Sequence, residues 1–284
     1  MSLFKKGGKH SSRSKELSHI REERSCILSA KSDFFIREAY KTLRTNVNFA
    51  LGGEEGCKVI VVTSSLQSEG KSLTAMNLAI SFAETDKKVL LIDCDLRRPK
   101  VSRLLNTGAP AGLSNVLVKP QLLESAILRN INSVDYILAG DIPPNPSELL
   151  GSDRMHQLLD DLKNIYDYII LDSPPINMVT DAVVLAPWSD GVLFVVRPNQ
   201  SERGAVLHAV EQLEYTRNKI LGFVLNAVDL EKTNYGYGHR YKRYQRYRRY
   251  GGYGYGYSRG YGYGYGYGYQ PTAPHDGSAE QEPQ

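Results

Sequence analysis

The sequence predicts an α/β fold in which a doubly wound, mostly parallel sheet carries helices on both faces. Three observations lead to it. Short apolar runs recur along the chain, among them Val59-Ile60-Val61-Val62, Val89-Leu90-Leu91-Ile92 and Tyr168-Ile169-Ile170-Leu171. Strands buried on both faces read as continuous apolar runs, not as an alternation of apolar and polar residues. Helical periodicities separate the runs, as in βαβ units. Finally, Asp93, Asp95 and Asp172 stand at or just past the carboxyl ends of two runs, where open α/β sheets bind their ligands.

Taken in order, residues 33–51 read as an amphipathic helix. Ile36, Tyr40, Leu43, Val47 and Ala50 fall at helical spacing, and Ser32 is placed to cap it. Glu38, Lys41 and Arg44 share one side, which by spacing alone reads as a solvated charged face. Gly52-Gly53 ends the helix, and a strand follows at 58–63. A loop leads into a helix reaching about residue 84, with Leu73, Met76, Ala79, Ile80 and Ala83 near one face. A strand spans 89–92, residues 112–130 read as short helices, and 134–138 as a strand. The Pro-rich loop at 143–146 precedes helical stretches to about 164, and strands follow at 168–171 and 191–196. Ser201 is expected to cap a helix that turns Val206, Ala209, Val210 and Leu213 inward. A last strand, 221–225, ends near Asn226.

The 284 residues suffice for one core with tails, and 41% apolar with 23% charged content is ordinary for a soluble chain. The net charge of +4 conceals a division, because residues 235–269 hold seven Lys or Arg and no acid. The remainder is therefore mildly acidic. Cys26, Cys57 and Cys94 have neither metal-ligand nor disulfide-framework spacing, which suits a reducing cytosol. No apolar run approaches the ~20 residues needed to cross a bilayer, and no signal peptide opens the chain. Any membrane role is thus expected through a partner or a surface contact.

The loop after the first strand runs Ser65-Leu66-Gln67-Ser68-Glu69-Gly70-Lys71-Ser72-Leu73. A strand, a Gly-Lys-Ser loop and a helix in succession form the context of a phosphate-binding P-loop. Backbone N–H groups at the helix start face an anion there, and the helix dipole favours negative charge. Ser65, Gln67, Ser68, Glu69, Gly70, Lys71, Ser72 and Leu73 are therefore the expected nucleotide-binding set. Lys71 would reach the β- and γ-phosphates, and the Ser72 hydroxyl would sit on Mg²⁺. The pattern G-x-x-x-x-G-K-[ST] has glycine where this chain has Ser65. ATP with Mg²⁺ also needs oxygen ligands, but Mg²⁺ keeps several waters and takes only one or two carboxylates. Asp93, Asp95 and Asp172 thus suffice for metal binding and one further task, such as orienting or deprotonating an attacking hydroxyl.

Four stretches carry a family resemblance. Leu90 to Arg97 contains three apolar residues followed by Asp-x-Asp-x-Arg, and Ile169 to Pro174 contains three followed by Asp-x-x-Pro. With Arg37 to Asn46 and Pro144 to Leu150, they resemble the bacterial tyrosine kinases of capsule and exopolysaccharide synthesis, a branch of the ParA/MinD-like P-loop ATPases. The resemblance covers about residues 31–230 as a kinase domain, between a flexible basic arm (1–30) and a tail (231–284). It implies that Lys71 contacts phosphates and Ser72 coordinates Mg²⁺. Asp93, Asp95 and Asp172 would be shared between metal binding and activation of a tyrosine hydroxyl, with Asp95 nearest the hydroxyl. It further implies a homo-oligomeric ring, an octamer being one size it takes, assembled through Glu38-x-x-Lys41-x-x-Arg44. The family pattern has Arg where Lys41 stands, so charge is kept and the bidentate fork is lost. Asn226 resembles a residue that reads adenine in related ATPases, and a turn role fits it equally. A separate membrane-anchored activator, a cognate tyrosine phosphatase and protein substrates of polysaccharide synthesis are the implied partners.

The tail supplies a phosphoacceptor. Of 19 tyrosines, 14 lie in it: Tyr235, Tyr237, Tyr241, Tyr244, Tyr247, Tyr250, Tyr253, Tyr255, Tyr257, Tyr261, Tyr263, Tyr265, Tyr267 and Tyr269. So Gly-rich a segment is expected to be disordered. A linker of ~20 such residues reaches about 25 Å, enough to visit a neighbouring active site. The family role that matches is autophosphorylation between subunits. Two other functions compete. One is a ParA/MinD-like positioning ATPase that phosphorylates nothing, although such proteins carry an additional early P-loop lysine and none lies between Lys58 and Lys71. The other is a nucleic-acid-binding module built on the Tyr/Arg tail.

Overall fold

The computed structural model describes residues 20–53 and 55–228. These residues belong to a unit spanning Met1–Asp229. A second unit, Leu230–Gln284, contains the tyrosine cluster, which with residues 1–19 lies outside the described residues.

Seven strands form one sheet: β1 (Lys58–Ser64), β2 (Val89–Asp93), β3 (Ile127–Ile131), β4 (Val134–Ile137), β5 (Tyr168–Asp172), β6 (Gly191–Val196) and β7 (Ile220–Leu225), ordered β3-β4-β2-β5-β1-β6-β7. Every pairing is parallel except that of β3 with β4. Residues of successive parity enter opposite cores, as the two-residue period of a strand requires. Val59, Val61, Leu90, Ile92 and Leu171 point into one core, and Ile60, Val62, Leu91 and Ile170 into the other. After a helical stretch at residues 20–25, the helices are α1 (Phe34–Leu51), α2 (Lys71–Ala83), α3 (Val101–Leu105), α4 (Leu113–Val118), α5 (Leu123–Ala126), α6 (Pro146–Leu150), α7 (Asp153–Lys163), α8 (Asp181–Leu185) and α9 (Arg203–Glu214). Among the described residues no helix is long and apolar enough to cross a membrane.

Several local expectations are corrected. The cap of α1 is Asp33, whose carboxylate accepts from the Phe35 N–H at 2.8 Å; the Ser32 hydroxyl instead accepts from the Ser29 N–H. Within α1 only Val47 is fully buried, and Ile36 is exposed, so the apolar stripe is narrower than its spacing suggests. Residues 112–130 are not all helical. Ile127–Ile131 forms the edge strand β3, which the polar Arg129 and Asn130 disguise, since an edge strand buries little. The segment before the sixth strand contains α8, for which no element was expected. Ser201 does not cap α9. Glu202 stands at that position, and the Ser201 hydroxyl accepts from the Arg197 N–H at 2.8 Å.

Helix α2 departs furthest from its pattern, being buried almost all round instead of along one stripe. Its inner side packs on the sheet, where Phe82 stacks on Tyr168 with ring centroids 3.9 Å apart. Burial of a side chain that size contributes about 1.5–3 kcal/mol. Its outer side is polar and is covered by the preceding chain. Asn77 accepts from the Leu28 N–H at 2.8 Å and donates to the Cys26 carbonyl at 3.0 Å, while Arg44 of α1 donates to the Ser81 carbonyl. Held from both sides, α2 presents its N-terminus, with Lys71 and Ser72, at a fixed place beyond β1.

Candidate active site

The strand order puts the chemistry together. β5 lies between β1 and β2, with Val62 opposite Asp172 in one pairing and Asp93 opposite Asp172 in the other. Two carboxylates on adjacent strands therefore stand side by side where β1 delivers the loop to α2. The Asp172 side chain and that of Asp93 are fully buried, and Asp95 is 6% exposed, the most accessible of the three.

Lys71 enters this acidic floor from the start of α2. Its ammonium lies 3.1 Å from Asp95 Oδ2, 3.6 Å from Asp172 Oδ1 and 3.4 Å from the Ser72 hydroxyl. Burial pulls the ammonium down, but Asp172, Asp95 and Asp93 together hold it above its ordinary value. The acids answer oppositely. Burial first, and then Asp172, push Asp93 up to about 8 against the pull of Lys71. Asp172 is raised as well, burial outweighing the attraction of Lys71.

The carboxylates are not equivalent in their hydrogen bonds. Asp93 accepts from the Asp95 N–H at 3.2 Å and from the Val101 N–H at 3.1 Å, so it braces the turn that carries Asp95. Asp95 accepts from the Arg98 N–H at 3.0 Å through one oxygen and from Lys71 through the other. Both oxygens of Asp172 are buried and neither has a close hydrogen bond; Oδ1 has the longer ion pair with Lys71 at 3.6 Å. Buried carboxylate oxygens so weakly satisfied are rare and costly. A hard cation takes such oxygens, so Asp172, with the nearby Ser72 hydroxyl, fits Mg²⁺. Among the described residues no group of three His, Cys, Asp or Glu side chains is placed to hold a metal ion by itself.

The loop explains its own missing glycine. Its left-handed residues are Ser68 (φ +64°) and Gly70 (φ +94°), and Ser65 is not among them. Serine therefore serves at 65, and its hydroxyl donates to Glu69 Oε1 at 2.8 Å across the loop. Gly70 is required instead, because a Cβ there would lie 1.9 Å from Asn226 Nδ2. That amide donates to the Glu69 carbonyl at 2.9 Å, so Asn226 is seated against the P-loop. Gly70→Ala is expected to add about 1–3 kcal/mol of backbone strain and to displace Asn226. A lowered melting temperature together with weaker ADP binding would register it; an unchanged pair of values would contradict the contact.

Glu69, Lys71, Ser72, Asp93, Asp95 and Asp172 thus converge with Asn226 at one end of the sheet. Leu73 is half-buried on α2. Glu38 and Lys41 do not join them. They form an ion pair of 2.7 Å with each other on α1, while Arg44 turns inward to Ser81. One cluster escaped the sequence reading. Arg97 binds the fully buried Asp181 through two nitrogens, at 3.0 and 3.1 Å, and donates to the Ser147 hydroxyl at 2.9 Å. Arg97 and Ser147 each lie in a stretch that carries the family resemblance, but nothing in the spacing signals that they meet.

Comparison with known proteins yields a consistent set of relatives. The AAA domain family matches residues 57–223. The chain is 39% identical over 219 residues to the tyrosine-protein kinase YwqD of Bacillus subtilis, covering 76% of this chain and 92% of that protein. It is 38% identical over 209 residues to the tyrosine-protein kinase CpsD of Streptococcus agalactiae, covering 72% of this chain and 90% of the other. Among solved structures, the kinase domain of the Escherichia coli tyrosine kinase ETK superposes with a TM-score of 0.65 at 36% identity, over 68% of this chain and 76% of that one.

Proposed function

The chain belongs to the bacterial tyrosine-protein kinases, and on that premise we propose that it phosphorylates its own C-terminal tyrosines between subunits and thereby regulates capsular or exopolysaccharide synthesis. The substrates are ATP and a tyrosine hydroxyl. The hydroxyl oxygen bonds to the γ-phosphorus, the bond from that phosphorus to the β–γ bridging oxygen breaks, and ADP leaves. The single observation that carries this reading is the lysine-bearing P-loop set directly over a buried carboxylate whose contact with the protein is a 3.6 Å ion pair to Lys71 and no close hydrogen bond.

Roles follow from exposure and hydrogen bonding. Asp172 and the Ser72 hydroxyl would hold Mg²⁺, with Asp93 and Asp95 completing the acidic surround. The ion would supply charge neutralisation at the phosphates. Lys71 leaves Asp95 for the β- and γ-phosphates, which frees Asp95 Oδ2. Asp95 is then the acid nearest the tyrosine hydroxyl and takes its proton. Asp93 holds the Asp95 turn through its two backbone contacts.

The test incubates the full chain with ATP and Mg²⁺, with and without a candidate membrane-protein activator, and maps phosphate by mass spectrometry. Phosphotyrosine between residues 235 and 269 is the expected result. Steady ATP turnover with no phosphotyrosine in the activator's presence would favour a positioning ATPase instead. Oligomer mass should also respond. Each phosphotyrosine adds about −1.5 to −2 charges at neutral pH, so about four or five cancel the tail's seven positive charges. Ring mass, or attachment to an acidic membrane surface, is expected to fall as phosphate load rises. A mass and an attachment that are both unchanged at full phosphorylation would refute that switch.

A further inference from the structure

An anion-binding loop must turn its N–H groups toward the ligand, and its carbonyl groups then point outward and need partners of their own. In this chain three consecutive loop carbonyls are engaged from outside. Gln67 O accepts from Gln200 Nε2 at 2.8 Å, Ser68 O from Arg197 Nη1 at 3.0 Å, and Glu69 O from Asn226 Nδ2 at 2.9 Å. A fourth contact reaches the loop from within. The Glu69 carboxylate is fully buried and accepts from the Ser65 hydroxyl, from the Leu66 N–H at 2.7 Å and from the Ser201 hydroxyl. Arg197, Gln200 and Ser201 all belong to the short connection between β6 and α9, and the Arg197 N–H to Ser201 Oγ bond closes that connection on itself.

We propose that Arg197, Gln200 and Ser201 are positioning residues that clamp the P-loop in its phosphate-accepting shape. None is assigned a contact with the nucleotide. They act on the outward carbonyls and on Glu69, and so keep the inward N–H groups aligned before any phosphate arrives. Ser68 makes the need plain, since a non-glycine residue held at φ +64° persists only where its surroundings over-determine it. Nucleotide affinity is thereby set from the β6–α9 connection, a segment outside every phosphate-binding motif in the sequence. The inference rests on the reading of residues 65–72 as a nucleotide site.

Gln200→Ala and Ser201→Ala are the informative variants, because both remove neutral groups and leave the charge around the phosphates unaltered. Binding of a fluorescent ADP with Mg²⁺ to the full chain is measured by titration, alongside phosphotransfer kinetics. Loss of one net hydrogen bond corresponds to about a fivefold weaker Kd, and the double variant to about 25-fold if the two effects add. KM for ATP should rise in parallel while kcat at saturating ATP stays within about twofold, and Ser201→Thr, which keeps the hydroxyl, should restore affinity. A double variant that binds ADP as tightly as the parent, or one that loses kcat at unchanged Kd, overturns the clamp. A parent chain that binds no nucleotide at all overturns the nucleotide site itself, and the clamp with it.

Discussion

Lys71→Met is expected to abolish tyrosine phosphorylation while leaving a folded protein whose stability depends steeply on pH. The first effect follows from the loss of the only lysine in the phosphate loop. Removing one group aimed at developing charge typically lowers kcat by about 10²–10³, and here the group also positions the phosphates. The second effect follows from what Lys71 does in the free protein. Its ammonium, 11% exposed, lies among three buried acids, 3.1 Å from Asp95 and 3.6 Å from Asp172. Without it Asp93 and Asp172 lose the ammonium that draws them down, and both are already raised by burial. A carboxyl group that is raised in the folded state holds its proton after the unfolded chain has lost it. Stability therefore falls as pH climbs from the ordinary carboxylate range toward the folded value, about 8 for Asp93 in the parent protein. In Lys71→Met the fall should be larger and should extend to higher pH. Thermal melts at pH 5.5 and 8.5, set beside phosphate mapping, separate the two effects. Retained phosphotyrosine would remove Lys71 from the mechanism, and a melting temperature equally sensitive to pH in variant and parent would refute its electrostatic role.

Asp172→Asn should lose activity and gain stability. As the carboxylate with no close hydrogen bond, Asp172 is the group that cation binding most needs and the free protein least needs. Its replacement is expected to lower phosphotransfer by at least about 10²-fold. Asparagine removes a buried charge whose desolvation is only partly offset by Lys71, which keeps Asp95. A gain of about 1–2 kcal/mol at pH 8 is expected, or roughly 2–8 °C in melting temperature for a domain of this size. The gain should shrink as pH falls, because the raised folded carboxyl group takes up its proton before an unfolded one does and so leaves less charge to remove. A variant less stable than its parent at pH 8 would show that Asp172 is structurally satisfied and would weaken its assignment to Mg²⁺. Activity trades against stability most sharply at this residue.

How much could be read in advance depended on how local the cause was. Val59 to Val62 and Ile169 to Leu171 announced buried strands because burial on both faces leaves an unbroken apolar run. β3 did not announce itself. It is an edge strand whose polar residues face solvent, and only its antiparallel pairing with β4 makes it a strand. Helix α2 was recognisable as a helix, but its burial on nearly every side was not, because Asn77 and Ser81 are polar and are satisfied by Leu28, Cys26, Tyr40 and Arg44 from elsewhere in the chain. Arg44 shows the same limit in reverse. Its spacing with Glu38 and Lys41 suggested one displayed surface, and a contact with the next helix takes it away from that surface.

By itself the sequence determined the strand–loop–helix that makes a phosphate site, the three acids that belong with it, and the tyrosine-rich basic tail that is the proposed phosphoacceptor. Each of these is a statement about neighbours along the chain, where periodicity, glycine placement and charge act directly. Only the tertiary structure decided which acid is braced, which is reachable and which is left without a close hydrogen bond, because that depends on β5 entering between β1 and β2. It also decided that Gly70, and not residue 65, is the indispensable small position, and that Glu69 faces the interior of the loop. Those outcomes rest on hydrogen bonds between residues more than a hundred positions apart, as between Glu69 and Ser201 or Asn226. No spacing in the sequence encodes them, since a buried polar group is satisfied by whichever segment the fold brings to it.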